Sequence, residues 1–262
     1  MDLGQVKRIG IGAAYHGGKI LQAYFGKILK ISKKGAIDLV TEADIETEKR
    51  IIAIIQRNFP NHSILSEESG LRRDGAKYQW VIDPLDGTMN FAHNVGLFAV
   101  SIAFVAGGDV LVGVVLNPIT GELFTAVIGE GAELNGRPIK VSNSEIVQES
   151  LLATGFPYDI REKIQPVMTR FSHCLKTSQG VRRLGSAALD LCFVACGRFD
   201  GFWEQNLNPW DTAAGFRIGS EAGAVTTDFA NKPFAIEGEE ILATNGKIHK
   251  EMLSLLKLKD IQ

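Results

Sequence analysis

Cysteine is scarce in this 262-residue chain, which has three, Cys174, Cys192 and Cys196. That is too few, and an odd number, for the disulfide framework of a secreted domain. Cys192 and Cys196 stand four apart beside the apolar run Leu189 to Ala195, on one face if that run is helical. With no C-x-x-C spacing they read as small core residues rather than a redox pair. An excess of charge is also lacking: 28 Lys+Arg against 30 Asp+Glu leave a net charge of −2. This excludes the basic footprint of sequence-independent nucleic-acid binding. A membrane-length apolar run is missing too. The uncharged stretch Gly87 to Gly108 is interrupted by Asn90, His93 and Asn94, and its apolar part, Val95 to Ala106, falls short of the ~20 residues that span a bilayer. The start, Met-Asp-Leu-Gly-Gln, lacks the basic-then-apolar layout of a secretory signal, so a soluble, cytoplasmic protein is expected. Internal repeats and low-complexity tracts are absent. The five histidines (His16, His62, His93, His173 and His249) are scattered, and none is given a catalytic role.

What is present is an ordinary globular composition, 45% hydrophobic and 22% charged. At roughly 150 residues per domain, the length gives one large domain or two closely packed ones. The spacing of Leu3, Val6, Ile9, Ala13, Ile20, Leu21, Phe25 and Ile28 predicts an amphipathic helix, weakened by Gly10, Gly12, Gly17 and Gly18. A second helix is predicted over Glu42 to Phe59, with Ile45, Ile52, Ile55 and Phe59 on one stripe. From His62 to Val141 short β-rich runs predict a largely antiparallel sheet covered by these two helices. Val95 to Val105 and Val110 to Leu116 form a hairpin across Gly107-Gly108-Asp109. The second half alternates: strands over Ser150 to Thr154, Phe199 to Glu204 and Ile241 to Thr244, and helices over Arg161 to Cys174, Ser186 to Cys196, Thr212 to Ala222 and Lys247 to Leu258. The helix at 186 is predicted to be buried, capped by Ser186 and stopped by Gly197. The change of pattern near 141–150 divides an N-terminal α+β subdomain, 1–145, from a C-terminal α/β subdomain, 146–262, within one compact unit.

Chemistry concentrates in Asp-Pro-Leu-Asp-Gly-Thr, Asp83 to Thr88, directly after the apolar strand Trp80-Val81-Ile82. Asp83 and Asp86 stand three apart across a turn, so both carboxylates can converge with the Leu85 carbonyl between them. Gly87 and Thr88 offer backbone N–H groups to an anion. A solvated Asp-Pro turn with Asp86 as a helix cap is the competing reading. Ser66-Glu67-Glu68-Ser69 ends a strand and alone reads as a charged loop; Asp211, in Trp210-Asp211-Thr212, alone reads as an N-cap. Thr41 and Asp44 have capping-box spacing, which does not exclude a functional role. Were Glu67, Asp83, Asp86 and Asp211 to converge, they could not all stay ionised without raised pKa values or a cation among them. Oxygen-only ligands suit Mg²⁺ or Mn²⁺ rather than zinc. Two such ions can clamp a phosphate ester. Metal-assisted phosphoryl transfer is therefore the leading class.

Five ordered blocks, DLVTEAD (38–44), SEES (66–69), WVIDPLDGTMNF (80–91), LGSAALDL (184–191) and WDTAAGFRIGSEAGA (210–224), resemble the inositol monophosphatase family of Mg²⁺-dependent, lithium-sensitive phosphatases. The resemblance implies a layered αβαβα sandwich of the sugar-phosphatase type, commonly a homodimer. It implies that Glu67, Asp83 and the Leu85 carbonyl bind a first metal, that Asp83, Asp86 and Asp211 bind a second, and that a weaker third leans on Glu67. Thr88, oriented by Asp44, would help Glu67 position and deprotonate the attacking water. The amides of Gly87 and Thr88 would hold the phosphate, Asp86 would be among the substrate-binding residues, Gly185, Ser186 and Ala187 would line the polyol site, and Glu204 would bind its hydroxyls. The Lys33–Lys34 loop would cover the site. The expected reaction is direct in-line attack of a metal-activated water on a phosphate monoester, most readily myo-inositol 1-phosphate. Fructose 1,6-bisphosphate, histidinol phosphate and phosphorylated nucleotides are the alternatives. Arg182-Arg183 could read a second phosphate or serve structural pairing. Two other classes compete: a haloacid-dehalogenase-type phosphatase, whose acids are separated by one residue rather than two, and an interaction protein in transcription antitermination that contacts RNA polymerase.

Overall fold

The computed structural model describes residues 1–27, 31–33, 39–72, 75–157, 160–162 and 164–258. In the first half, helix α1 (Leu3–Tyr24) leads to strands β1 (Ile31–Lys33) and β2 (Leu39–Thr41), then helix α2 (Glu42–Asn58). Strands β3 (Ser63–Ser66), β4 (Gly70–Arg72) and β5 (Tyr78–Asp86), the short helix α3 (Thr88–Ala92), and strands β6 (Ala99–Ala106), β7 (Asp109–Asn117), β8 (Glu122–Val127), β9 (Gly131–Leu134) and β10 (Arg137–Ile139) follow. The second half runs β11 (Leu151–Thr154), α4 (Ile164–Thr177), β12 (Gly180–Arg182), α5 (Ala187–Ala195), β13 (Gly201–Gln205), α6 (Pro209–Glu221), β14 (Val225–Thr227), β15 (Glu240–Thr244) and α7 (His249–Leu256).

Alternation along the strands decides the layering, because successive side chains leave opposite faces of a sheet. Eight strands form the first sheet, in the order β10-β9-β8-β7-β6-β5-β3-β4, antiparallel except where β3 pairs with β5. One face sends Trp80, Ile82, Val114 and Leu116 against Val6, Ala13 and Leu21 of α1 and Ile51, Ile52 and Ile55 of α2. The other sends Val81, Ala103, Val115 and Phe124 against Leu189 and Cys192 of α5 and Ala213, Ala214 and Ile218 of α6. Helix α5 is therefore covered on both sides, since Leu191 and Val194 pack on Phe202, Ile241 and Ala243 of the second sheet. That sheet, β12-β11-β13-β15-β14, is closed on its far face by α4 and α7 through Phe171, Cys174, Met252 and Leu256. The five layers are helix, sheet, helix, sheet, helix, the αβαβα arrangement expected.

Several local expectations are refined. Gly17 and Gly18 of α1 are packing devices: a Cβ at Gly17 would lie 3.0 Å from Thr47 and Ile51, and one at Gly18 3.0 Å from Leu116, whereas Gly12 faces open space. Ile45 is 43% exposed, because the first turn of α2 turns Ala43 and Asp44 inward instead. Helix α6 starts three residues earlier than predicted, at Pro209, and its N-cap is Asn208. Cys174 and Cys192 are buried free thiols, and burial pushes the Cys174 thiol up to about 12. No helix among the described residues is long and apolar enough to cross a membrane.

Candidate active site

The segment read from sequence as a turn is the end of strand β5. Asp83 pairs with Ser101 of β6 and Asp86 with Ala99, so three steps on β5 oppose two on β6. Residues three apart on a regular strand point to opposite faces; the extra residue shifts the alternation by one, as a β-bulge does. Pro84, which has no N–H to give to a ladder, sits inside this irregularity. The result is that carboxylate oxygens of Asp83 and Asp86 converge with one of Asp211, all within 4.8 Å of one another.

Each acid is held by the chain. Asp83 Oδ1 accepts from the Leu85 N–H at 2.9 Å. Asp86 Oδ2 accepts from the Ser186 hydroxyl at 2.5 Å and the Ala188 N–H at 2.9 Å, at the positive N-terminus of α5. Ser186 is the N-cap of that helix, as the sequence predicts. Asp211 is not an N-cap; it is the third residue of α6, and its Oδ2 accepts from the Asn208 N–H at 2.7 Å in a capping box. Asp44 closes a capping box at α2, taking the Thr41 N–H at 2.8 Å. Its other oxygen accepts from the Thr88 hydroxyl at 3.1 Å, with the Leu85 carbonyl also 3.1 Å from that hydroxyl. Capping and site construction thus use the same atoms.

Glu67 follows β3, its N–H bonded to the Ile82 carbonyl at 3.2 Å. It stands beside the three aspartates rather than among the oxygens that cluster within 4.8 Å, and its charge is felt by all of them and by Asp44. Burial first, then the charges of Glu67, Asp86 and Asp211, hold the Asp83 carboxyl well above the usual range. Burial raises Asp86 to about 6 against the opposing bonds from Ser186 and Ala188, and Asp44 to about 6. Burial and the charge of Asp86 raise Asp211 well above its ordinary value. Like charges buried this close together are what a bound cation would relieve. Three clustered carboxylates with no histidine or cysteine fit a hard divalent ion.

Gly87, with φ of 95°, turns the chain from β5 into α3, where a Cβ would lie 3.1 Å from the carbonyls of Leu97 and Gly185. Asn90 ties this corner to the second half, donating to the Leu97 and Leu184 carbonyls at 2.6 and 2.8 Å. Gly87 and Thr88 share one pocket with Asp86, Asp211, Gly185, Ser186, Ala187 and Glu204. Burial, then the charge of Asp211, pushes Glu204 up to about 8. Of the Lys33–Lys34 loop expected to cover the site, Lys33 ends β1 and Lys34 lies outside the described residues. Of the two arginines, Arg183 lines the pocket and Arg182 does not. Asp190 and Gly155 also line it. Asp190 is a lone charge in the apolar helix AALDLCFVA, a signal available in the sequence.

The Inositol monophosphatase family model matches residues 2–259. The chain belongs to the inositol monophosphatase family. As a member it is a phosphoric monoester hydrolase. It is 46% identical over 257 residues to an inositol-1-monophosphatase of Synechocystis sp., covering 97% of this chain and 90% of that protein. A "Nus factor SuhB" of Pseudomonas aeruginosa is 41% identical over 235 residues, covering 88% and 87%. The solved inositol monophosphatase of Anabaena (Nostoc) sp. superposes with a TM-score of 0.90 at 44% identity, covering 98% and 96% of the two chains. The layers described above are those of this family's fold.

Proposed function

We propose that the protein hydrolyses myo-inositol 1-phosphate to inositol and phosphate, with water as the attacking group. The observation that carries this reading is the meeting of Asp83, Asp86 and Asp211 within 4.8 Å, two of which, Asp86 and Asp211, line one pocket with Glu204 and the Gly185–Ala187 stretch. Glu67, Asp83 and the Leu85 carbonyl would hold one divalent ion, Asp83, Asp86 and Asp211 a second, and Glu67 a weaker third. When bound, two or three Mg²⁺ ions, or Mn²⁺, acidify water and neutralise the charge of the transferring phosphoryl group.

The chain supplies the rest. A Thr88 hydroxyl that donates to Asp44 has only lone pairs left to turn outward, so it orients a water as an acceptor of that water's proton. Glu67 is the base that takes the proton. The N–H groups of Gly87 and Thr88 hold phosphate oxygens, and Glu204 with Gly185, Ser186 and Ala187 binds the polyol. Bound in this way, the ester presents its phosphorus in line with the oriented water.

Phosphate release is measured over a panel of myo-inositol 1-phosphate, fructose 1,6-bisphosphate, histidinol phosphate and a nucleotide 2′-phosphate, with Mg²⁺ and with added Li⁺. The inositol ester is expected to give the highest kcat/KM, with dependence on Mg²⁺ and inhibition by Li⁺. A different ester leading by tenfold or more would replace the substrate, and release without divalent ions would overturn the mechanism. The 41% identity to a protein named Nus factor SuhB favours a second, coexisting role, contact with RNA polymerase. Co-purification with polymerase that survives Asp83→Asn would support it, and no co-purification of either form would remove it. The working state proposed is a cytoplasmic homodimer, which sedimentation velocity checks.

A further inference from the structure

Helix α5 carries one acidic group to which the mechanism above gives no task. Asp190 is 1% exposed in an otherwise apolar helix, and its Oδ1 has no hydrogen-bond partner among the described residues. A buried carboxyl oxygen with no donor is costly to keep, and such a group calls for an explanation. Its position offers one, because Asp190 lines the same pocket as Glu204, the first from α5 and the second from β13.

Two further features belong to this wall. A Cβ at Gly155 would fall 2.0–2.1 Å from the atoms of the Glu204 carboxyl group, so that carboxyl lies directly against backbone that has no side chain. The guanidinium of Arg183 stands over the Phe156 ring at 5.9 Å and makes no ion pair among the described residues. Burial, followed by the charge of Glu204, raises the Asp190 carboxyl well above its ordinary value. The wall therefore gathers two buried acids, and no described residue donates a hydrogen bond to Asp190 Oδ1. A ligand completes such a wall by bringing donors of its own, as the hydroxyls of a polyol do. A ligand without them leaves Asp190 Oδ1 without a partner, and that asymmetry is how buried polar groups reject analogues.

We infer that Asp190 is a specificity-determining residue, which together with Glu204 accepts hydrogen bonds from hydroxyls of the substrate's alcohol half and selects polyol phosphates over phosphate esters of apolar alcohols. This rests on the phosphatase reading of the same pocket.

The test compares kcat/KM for myo-inositol 1-phosphate and for p-nitrophenyl phosphate, an ester whose alcohol carries no further hydroxyl, in the full-length protein with Mg²⁺. Asp190→Asn keeps the shape, and Asp190→Leu removes the buried acid in case the amide does not fold. In whichever variant melts cooperatively, the ratio of the two kcat/KM values falls about tenfold, with the loss in KM for the polyol ester. An unchanged ratio, including an equal loss on both esters, is the result of a merely structural role and overturns the inference. If unmodified protein hydrolyses p-nitrophenyl phosphate but no polyol phosphate, the substrate reading fails and the inference fails with it. Activity of the unmodified protein on polyol esters, with variants that leave the ratio unmoved, overturns the inference alone.

Discussion

Asp83 and Asp86 show how a single extra residue creates a site. Without the irregularity at Pro84-Leu85 the two side chains would leave opposite faces of the first sheet, one toward α1 and α2, the other toward α5 and α6. With it, both meet Asp211. The clustering has a cost that pH reveals. The raised carboxyls bind more protons in the folded than in the unfolded protein, so the stability they contribute is full below pH ~4. It is lost as pH rises through about 6 for Asp44 and Asp86 and about 8 for Glu204. Without divalent ions, the melting temperature of Asp83→Asn should therefore exceed that of unmodified protein at pH 8, with the gap closing toward pH 5. Turnover by this variant should be abolished at both. A melting gap that widens toward pH 5, or near-normal turnover with Mg²⁺, would contradict the role given to Asp83.

At the scale of elements, close approaches between layers fix where the acids stand. Asp211 opens α6, and α6 crosses β7 so tightly that a Cβ at Gly113 would lie 2.5 Å from the Ala214 carbonyl. Gly113→Ala should cost about 1–3 kcal/mol, since backbone cannot yield as a side chain does; urea unfolding measures it, and no change in midpoint would refute the argument. Much at this level was legible: the amphipathic helices, the hairpin of β6 and β7, the buried helix capped by Ser186. The short strands were not. Three-residue strands such as β12 and β14 carry too few side chains to show a period. The β9–β10 hairpin did have a signal, Asn135-Gly136, both with positive φ, the preferred two-residue turn. The bulge in β5 has the sequence of a turn, because Asp-Pro is the stronger local cue.

At the scale of the molecule, the candidate ligands come from three places far apart in the chain: the turn after β3, the end of β5 and the start of α6. They stand out as candidates in the sequence because carboxylates in such motifs have few other uses together. Of the pocket's inner wall the sequence offers only the lone charge of Asp190 in an apolar helix; its place beside Glu204 is set by α5 lying between two sheets. The proposed chemistry depends on those distant acids forming one cation site. The most direct measurement is anomalous diffraction from crystals grown with Mn²⁺, collected for unmodified protein and for Asp83→Asn. Anomalous peaks are expected among Asp83, Asp86, Asp211 and Glu67 in the first, with their loss or weakening in the second. Peaks elsewhere, or none at saturating Mn²⁺, would contradict that chemistry.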